Sequence, residues 1–200
     1  MRRLHEAIAR EGTNLGGGIL KVDHILNHQI IPDLMEELGQ ELGRRFRDAG
    51  ADRVLTAEIS GIAPALSTAL VLGVPLVYAR KKKPITMSGT IFTETAPSRT
   101  KGEEVSFMVA AEFLPPGERV LIVDDFLASG LTTLALARLV RSARSELVGI
   151  GVVVEKRFEE GRARLREAGY PTLPVVALAT VLRMEESRIE LAAYPQACHE

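Results

Sequence analysis

Apolar positions recur with two periods along the chain, and these periods predict alternating helices and strands. Leu34, Leu38 and Leu42 recur every four residues, which predicts a helix from Pro32 to about Gly50. Proline is tolerated in the first turn of a helix, and glycine commonly follows the last turn. Pro32 and Gly50 therefore mark the predicted start and end of this helix.

Beyond residue 50 the pattern changes to short apolar strands separated by helices. Strands are predicted at 53–57, 74–79, 105–110, 119–123, 147–154 and 174–179. Helices are predicted at 2–11, 63–72, 131–144 and 161–168. Apolar strands that alternate with helices are typical of a parallel sheet covered on both faces. We expect one α/β domain over residues 1–200, with ligands bound at the carboxyl ends of its strands.

The stretch from residue 81 to 104 is polar and contains Pro84, Gly89, Pro97 and Gly102. It is too long for an ordinary connection inside a compact domain. Long segments of this kind commonly carry function. The sequence predicts either a mobile functional loop or a hairpin flap.

The strongest chemical signal follows the apolar strand at 119–123. Two acids, Asp124 and Asp125, precede a loop of small residues that opens a helix. Backbone N–H groups at a helix start suit a phosphate, and small residues allow close approach. Carboxylates suit sugar hydroxyls or a Mg²⁺ ion rather than the anion itself. The alternative is a strand-to-helix turn capped by the acids, but two acids and a Gly-containing loop exceed what capping requires.

Composition and charge exclude several classes of protein. The formal net charge is −1 and the chain has no Trp, so nothing favours a nucleic-acid partner. No apolar run reaches the roughly 18 residues that span a membrane. The lone Cys198 indicates a reducing compartment, so we expect a cytoplasmic protein with no membrane partner. The histidines lack metal-ligand spacing to acids and are interpreted as structural or surface residues: His5, His24, His28 and His199.

The acid pair and its loop resemble the motif that binds phosphoribosyl pyrophosphate (PRPP) in type I phosphoribosyltransferases. Five ordered segments resemble the bacterial xanthine-specific branch of this family: Leu20-Lys-Val-Asp-His-Ile-Leu-Asn-His-Gln-Ile, Glu58-Ile-Ser-Gly-Ile-Ala-Pro-Ala, Tyr78-Ala-Arg-Lys, Val123-Asp-Asp-Phe-Leu-Ala-Ser-Gly and Val154-Glu-Lys-Arg-Phe. The resemblance extends to about residue 182, although 86–104 matches nothing. Ser129 stands where the common motif has Thr, which keeps the hydroxyl.

The resemblance implies a type I phosphoribosyltransferase fold: a central parallel sheet flanked by helices, with a flexible loop and a base-binding hood of about residues 1–50. It implies transfer of the phosphoribosyl group from PRPP to xanthine, giving xanthosine 5′-monophosphate and pyrophosphate. Mg²⁺ would enter with PRPP, and Asp124 and Asp125 are the candidates for contact with it. The family also implies a homodimer.

Residue by residue, the resemblance assigns the two ends of PRPP. The 5-phosphate loop would comprise Ala128, Ser129, Gly130, Leu131 and Thr132, with Asp124 and Asp125 facing the ribose. Ser60 and Gly61 would lie in the pyrophosphate loop, although the residues alone favour a plain turn between a strand and a helix. Arg80 and Lys81 would stabilise the leaving pyrophosphate, whereas Lys82 and Lys83 are interpreted as solvated charges.

The base would be recognised by Leu20, Asn27 and Lys156, according to the same resemblance. A lysine supplies charge and donors to carbonyl oxygens, and an asparagine offers both a donor and an acceptor. Taken alone, Asn27 would mean only a helix cap and Lys156 only a surface lysine. Phe158 could stack on the base or belong to the core.

Other functions compete with xanthine transfer. The chain could be a transferase for a different base: hypoxanthine and guanine, adenine, or orotate. The choice of base can depend on only one or two hydrogen-bond donors of the protein. A non-catalytic PRPP-sensing regulator would also keep the PRPP loop, but residues 1–50 are short for a DNA-binding module and show no basic face. A bare interaction domain leaves the acid pair and its loop unexplained.

Overall fold

The computed structural model describes residues 1–97, 104–185 and 188–193, so Cys198 and His199 lie outside it. Its α-helices are α1 Arg2–Glu11, α2 Pro32–Phe46, α3 Ile62–Leu72, α4 Leu131–Ser142 and α5 Gly161–Glu167. Its strands are β1 Thr13–Asn14, β2 Leu20–Lys21, β3 Arg53–Ala57, β4 Leu76–Ala79, β5 Ile91–Pro97, β6 Glu104–Ala110, β7 Arg119–Leu127, β8 Glu146–Lys156, β9 Val175–Glu185 and β10 Arg188–Leu191. A π-helical turn spans Asp23–Asn27, and single 3₁₀ turns span Arg47–Ala49, Ala111–Phe113 and Arg157–Glu159.

Six strands form the central sheet in the order β10-β9-β8-β7-β3-β4. The five strands from β9 to β4 run parallel, with Leu55 opposite Ile122 and Ile122 opposite Ile150. Parallel neighbours need crossover connections, which α3, α4 and α5 supply. The predicted parallel sheet is confirmed. The sequence missed β10, which pairs antiparallel with β9, because four residues are too few to show a period.

The sheet is buried on both faces, and successive residues of each strand serve opposite cores. Val54, Leu121 and Val153 face the side covered by α1, α2 and α3. Leu55 and Ile122 face the side covered by α4, α5 and the β5–β6 hairpin. The strands therefore read as continuous apolar runs, as a sheet with two covered faces requires.

The helix predicted from Pro32 ends earlier than the sequence suggested. Leu38 and Leu42 are completely buried, so the apolar face is as expected. The last predicted turn is 3₁₀ rather than α, and Gly50 stops it in the left-handed region with φ 59°. Ends of helices commonly tighten in this way, since terminal carbonyls lack partners in an α-helix.

The long polar stretch contains an antiparallel hairpin, in which β5 pairs with β6 from Ile91 opposite Ala110 to Pro97 opposite Glu104. The hairpin alternative is therefore confirmed, although residues 98–103 lie outside the described structure. Phe107 of β6 is buried in the core that the hairpin shares with α4. Arg138 of α4 holds its outer strand through a 2.9 Å contact from Nε to Glu94 Oε2.

The N-terminal segment shares the main core. Leu4, Ile8 and Ile25 are buried in the same cluster as Val153 and Val181. Two further contacts tie this segment to the sheet: the Asn14 side-chain amide donates to the Glu185 carbonyl at 2.7 Å, and Lys156 Nζ donates to the Gly18 carbonyl at 2.7 Å. No helix among the described residues is long and apolar enough to cross a membrane.

Candidate active site

A cavity of about 370 Å³ opens at the carboxyl ends of β3, β7 and β8. The hairpin forms one wall and the N-terminal segment another. Its lining residues come from widely separated parts of the chain: Leu20, Asn27, Ala57, Glu58, Ser60, Lys81, Ala96, Pro97, Val105, Phe107, Asp124, Asp125, Phe126, Ala128, Ser129, Gly130, Leu131, Thr132, Thr133 and Lys156. Ligands of open parallel sheets bind at this edge.

One end of the cavity is the turn from β7 into α4, residues Ala128–Thr132, which we call the phosphate loop. All five residues line the cavity. Gly130 precedes α4 with φ 78°, a conformation that glycine adopts without steric cost. The first backbone N–H groups of α4 have no partners within the helix and carry its positive end. This end of the cavity can therefore hold an anion through backbone donors.

The acid pair lies beside the phosphate loop. Asp124 is only 4% exposed, whereas Asp125 is half-buried, and both line the cavity. Each carboxylate accepts a bond from the following backbone N–H, at 3.0 Å for Asp124 and 2.8 Å for Asp125. Burial, and then the charge of Asp125, raise the pKa of Asp124 well above its ordinary value. The pair thus places two carboxyl groups at one point of the cavity, where the charge of Asp125 disfavours ionisation of Asp124.

The loop after β3 contributes the third wall. Ser60 and Glu58 line the cavity, and the peptide bond from Glu58 to Ile59 is cis. Gly61 does not line the cavity. A Cβ at Gly61 would collide with the Asp124 carboxylate and with Thr56 Oγ1. In this structure the glycine is needed to make room for Asp124.

The two positively charged residues that follow β4, Arg80 and Lys81, line different cavities. Lys81 lines the cavity, and its backbone N–H donates to Glu58 Oε1 at 2.7 Å. Arg80 lies instead in a neighbouring cavity, with Nε 2.8 Å from Glu58 Oε2 and its guanidinium 5.6 Å from the centre of the Tyr78 ring. The structure therefore brings Lys81, but not Arg80, to the acid pair.

The opposite end of the cavity contains the predicted base-binding residues together. Leu20, Asn27 and Lys156 all line it. The Lys156 ammonium lies 5.3 Å from the centre of the Phe126 ring and 3.6 Å from Glu159 Oε1. Lys156 is 7% exposed, so the interpretation as an ordinary surface lysine does not hold.

The aromatic residue at this end is Phe126, which the sequence analysis did not single out. Phe158 does not line the cavity and is 42% exposed, so both interpretations offered for it are wrong. Phe126 directly follows the acid pair on β7. The available signal was in the sequence: the apolar pair Phe126-Leu127 continues the strand past the acids.

Among residues 1–97, 104–185 and 188–193, no three His, Cys, Asp or Glu side chains lie close enough together to hold a metal ion. Three carboxylates line the cavity, but Glu58 is paired with Arg80 and with the Lys81 backbone N–H, so Asp124 and Asp125 are the two that the cavity offers a cation. That donor set fits an ion that is carried largely by the oxygens of a substrate, as Mg²⁺ commonly is.

The fold and cavity together define an α/β protein with an anion-binding loop and an acid pair at the carboxyl edge of its parallel sheet, and sequence comparison gives the family. The family model described as "Phosphoribosyl transferase domain" matches residues 21–168. The chain belongs to this phosphoribosyltransferase family. The earlier expectation of a type I phosphoribosyltransferase fold is confirmed.

Two relatives within this family are named xanthine phosphoribosyltransferase. The chain is 52% identical over 186 residues to a xanthine phosphoribosyltransferase of Deinococcus deserti, covering 93% of this chain and 95% of the relative. It is 43% identical over 189 residues to a xanthine phosphoribosyltransferase of Listeria monocytogenes, covering 94% and 97%. The suspected resemblance to the xanthine-specific branch is thereby confirmed.

Solved structures show the same architecture. The adenine phosphoribosyltransferase of Thermoanaerobacter pseudethanolicus superposes with a TM-score of 0.72 at 24% identity, covering 88% of this chain and 99% of that one. The enzyme from Saccharomyces cerevisiae, solved with adenine and an imino-altritol bisphosphate, gives 0.70 at 25% identity, covering 89% and 99%. These structural similarities are evidence for the shared fold.

Proposed function

We propose that this chain transfers the 5-phosphoribosyl group of PRPP to xanthine, forming xanthosine 5′-monophosphate and pyrophosphate in purine salvage. The observation that carries the proposal is the shared cavity. The phosphate loop, the acid pair and the base end, which contains Asn27 and Lys156, all face the same cavity of about 370 Å³. The names of the relatives at 42–52% identity support the choice of xanthine.

Binding and positioning of PRPP would fall to the phosphate loop and to Asp124 and Asp125. Backbone donors of Ser129 and Gly130 suit the 5-phosphate, and the carboxylates suit the ribose hydroxyls. Displacement at the ribose C1 carbon passes through a state with positive charge on the sugar. Two nearby carboxylates stabilise that charge, and the protein needs to form no covalent bond.

The pyrophosphate would leave toward Ser60 and Lys81, which line the same wall. We assign Arg80 a supporting role, since it is paired with Glu58, whose other oxygen holds the Lys81 backbone. Mg²⁺, when bound with PRPP, supplies charge neutralisation for the leaving group. The hairpin wall, including Pro97 and Phe107, would exclude water from the reacting carbon.

The base would lie between Phe126 and Leu20, with polar contacts from Asn27 and Lys156. Xanthine carries two carbonyl groups and ionises more readily than hypoxanthine or guanine. A buried ammonium favours such an electron-rich base, because charge-assisted bonds are stronger than neutral ones. Asn27 can donate to or accept from the position that distinguishes the purines.

We also propose a cytoplasmic homodimer. Exposed apolar side chains occur on α3 at Leu66 and Leu70 and near the foot of the hairpin at Tyr78 and Phe113. Self-association would cover such surface. Light scattering coupled to gel filtration would show a mass near 44 kDa, about twice the 21.8 kDa of the chain, and a monomer at all concentrations would contradict the dimer.

The decisive test is a spectrophotometric assay with PRPP, Mg²⁺ and one of four bases: xanthine, hypoxanthine, guanine or adenine. We expect xanthine to give the highest kcat/KM by at least about tenfold, the scale on which one or two hydrogen bonds discriminate. A preference for another base would show that the chain is a phosphoribosyltransferase for that base and not for xanthine. Binding of PRPP without turnover of any base would favour a sensor.

A further inference from the structure

The carbonyl groups of Ala128 and Ser129, the first two residues of the phosphate loop, lie against α5, which contacts each of them. The Arg164 guanidinium donates from Nη1 to the Ser129 carbonyl. Gly161 packs directly against the preceding carbonyl, since a Cβ there would collide with the Ala128 oxygen. Neither residue lines the cavity.

These contacts determine where the loop's donors point. In a trans peptide the carbonyl and the following N–H point in opposite directions. If the carbonyls of Ala128 and Ser129 are held on the α5 side, the N–H groups of Ser129 and Gly130 point away from it. Both of these residues line the cavity, so that side is where an anion would be bound.

We propose that Arg164 is a positioning residue for the phosphate loop: it anchors the Ser129 carbonyl and thereby aims the Gly130 N–H at the 5-phosphate of PRPP. Gly161 supports the same arrangement, because its missing side chain lets α5 approach the Ala128 carbonyl. The proposal rests on the proposed function, since it assumes that the loop binds the phosphate of PRPP.

The half-buried guanidinium of Arg164 is a better hydrogen-bond donor to the Ser129 carbonyl than a water molecule would be. Arg164 lies on a helix whose Leu165 is 1% exposed in the core, so its backbone is held firmly. Its neighbour Arg162 is fixed separately, with Nε 2.6 Å and Nη2 2.8 Å from the Glu155 carboxylate. A charged donor that is already ordered makes a stronger bond to a carbonyl than solvent does.

The test uses ribose 5-phosphate alone as the probe, because it engages the phosphate loop without Mg²⁺, pyrophosphate or base. Calorimetry should show about tenfold weaker binding to Arg164→Gln, the loss expected for one charge-assisted hydrogen bond. Arg166→Gln is the matched control, since Arg166 is an exposed arginine of the same helix. It should bind within about twofold of the unmodified chain.

Steady-state kinetics separates positioning from general damage. Arg164→Gln should raise the KM for PRPP by about the same tenfold, change the KM for xanthine by less than about twofold, and leave kcat close to its original value. Arg164→Lys should recover part of the affinity, since a lysine retains a charged donor. Equal losses for PRPP and xanthine, or unchanged binding of ribose 5-phosphate, would overturn the proposal.

A second variant keeps the test independent of the folding of Arg164→Gln. Gly161→Ala retains the arginine but adds a methyl group against the Ala128 carbonyl, and we expect it to weaken ribose 5-phosphate binding as well. Normal binding by folded Gly161→Ala would overturn the proposal. If the unmodified chain binds neither ribose 5-phosphate nor PRPP, the proposed function itself fails, which is a different result from loss in the variants alone.

Discussion

The two ends of the cavity are built in different ways. The phosphate end is one contiguous loop, Ala128–Thr132, that offers backbone groups. The base end is assembled from side chains that are distant in sequence, as the bond from Lys156 to the Gly18 carbonyl, 138 residues away, illustrates. Backbone recognition depends on local conformation, whereas side-chain recognition depends on the packing of the whole domain. The two ends should therefore respond differently to substitution.

The largest effect is expected between the two ends, at the reacting sugar. Asp125→Asn should lower kcat by about 100-fold, because it removes a charge that stabilises the positive ribose, while KM for either substrate changes little. Steady-state kinetics with PRPP and xanthine measures this. Asp48→Asn, an exposed acid far from the cavity, is the control and should retain full activity.

At the phosphate end, Gly130→Ala should lower kcat/KM for PRPP by roughly 30-fold. The new Cβ must adopt a positive φ and would lie 3.0 Å from the Gly161 carbonyl oxygen, so the loop must shift. Gly117→Ala is matched in backbone strain, with φ 84° against 78°, but has open space around it. Equal loss of PRPP affinity in both variants would mean that strain alone, and not the loop geometry, matters.

At the base end, Lys156→Ala should lower kcat/KM for xanthine by about tenfold and leave the KM for PRPP nearly unchanged. The ratio of xanthine to hypoxanthine use is the sharper measurement, because a general loss of stability would not alter it. Arg157→Ala, at the neighbouring exposed position, should keep the original ratio. An unaltered ratio in Lys156→Ala would remove the lysine from base recognition.

The smallest effect concerns stability and pH. Since the pKa of Asp124 is raised above its ordinary 3.8, the folded chain holds this proton more tightly than the unfolded chain. Ionisation therefore costs folding free energy as pH rises above about 4, and the cost is absent below it. Asp124→Asn should raise the Tm by a few degrees at pH 7 and by almost nothing at pH 4. Thermal melts across this range test the sign, and a lower Tm at pH 7 would contradict it.

Much of the phosphate end was predictable from sequence. An apolar strand, two acids and a loop of small residues that opens a helix are local features, and each has a local physical cause. The hairpin was foreseen as one of two alternatives because Pro84, Gly89 and Pro97 break an otherwise long connection. The wall residues Ala96 and Phe107 were not foreseen, since nothing local says which hairpin face meets the cavity.

Arg80 and Phe126 show where sequence reasoning reached its limit. Arg80 and Lys81 are adjacent in the chain and alike in charge, yet only Lys81 faces the cavity, because successive residues at a strand end point to opposite sides. Gly61 looked like an anion-binding glycine, whereas its packing shows that it makes room for Asp124. Such roles depend on which neighbour arrives from elsewhere in the fold.

The sequence by itself determined the alternation of strands and helices, the parallel sheet and the position of the acid pair with its loop, because hydrophobic period and turn chemistry act over a few residues. Only the tertiary structure decided which side chains share the cavity. It turned Phe126 inward and left Phe158 exposed, and it brought α5 against the carbonyls of the phosphate loop. The physical reason is that contacts between distant segments depend on the packing of the whole sheet, which no local pattern encodes.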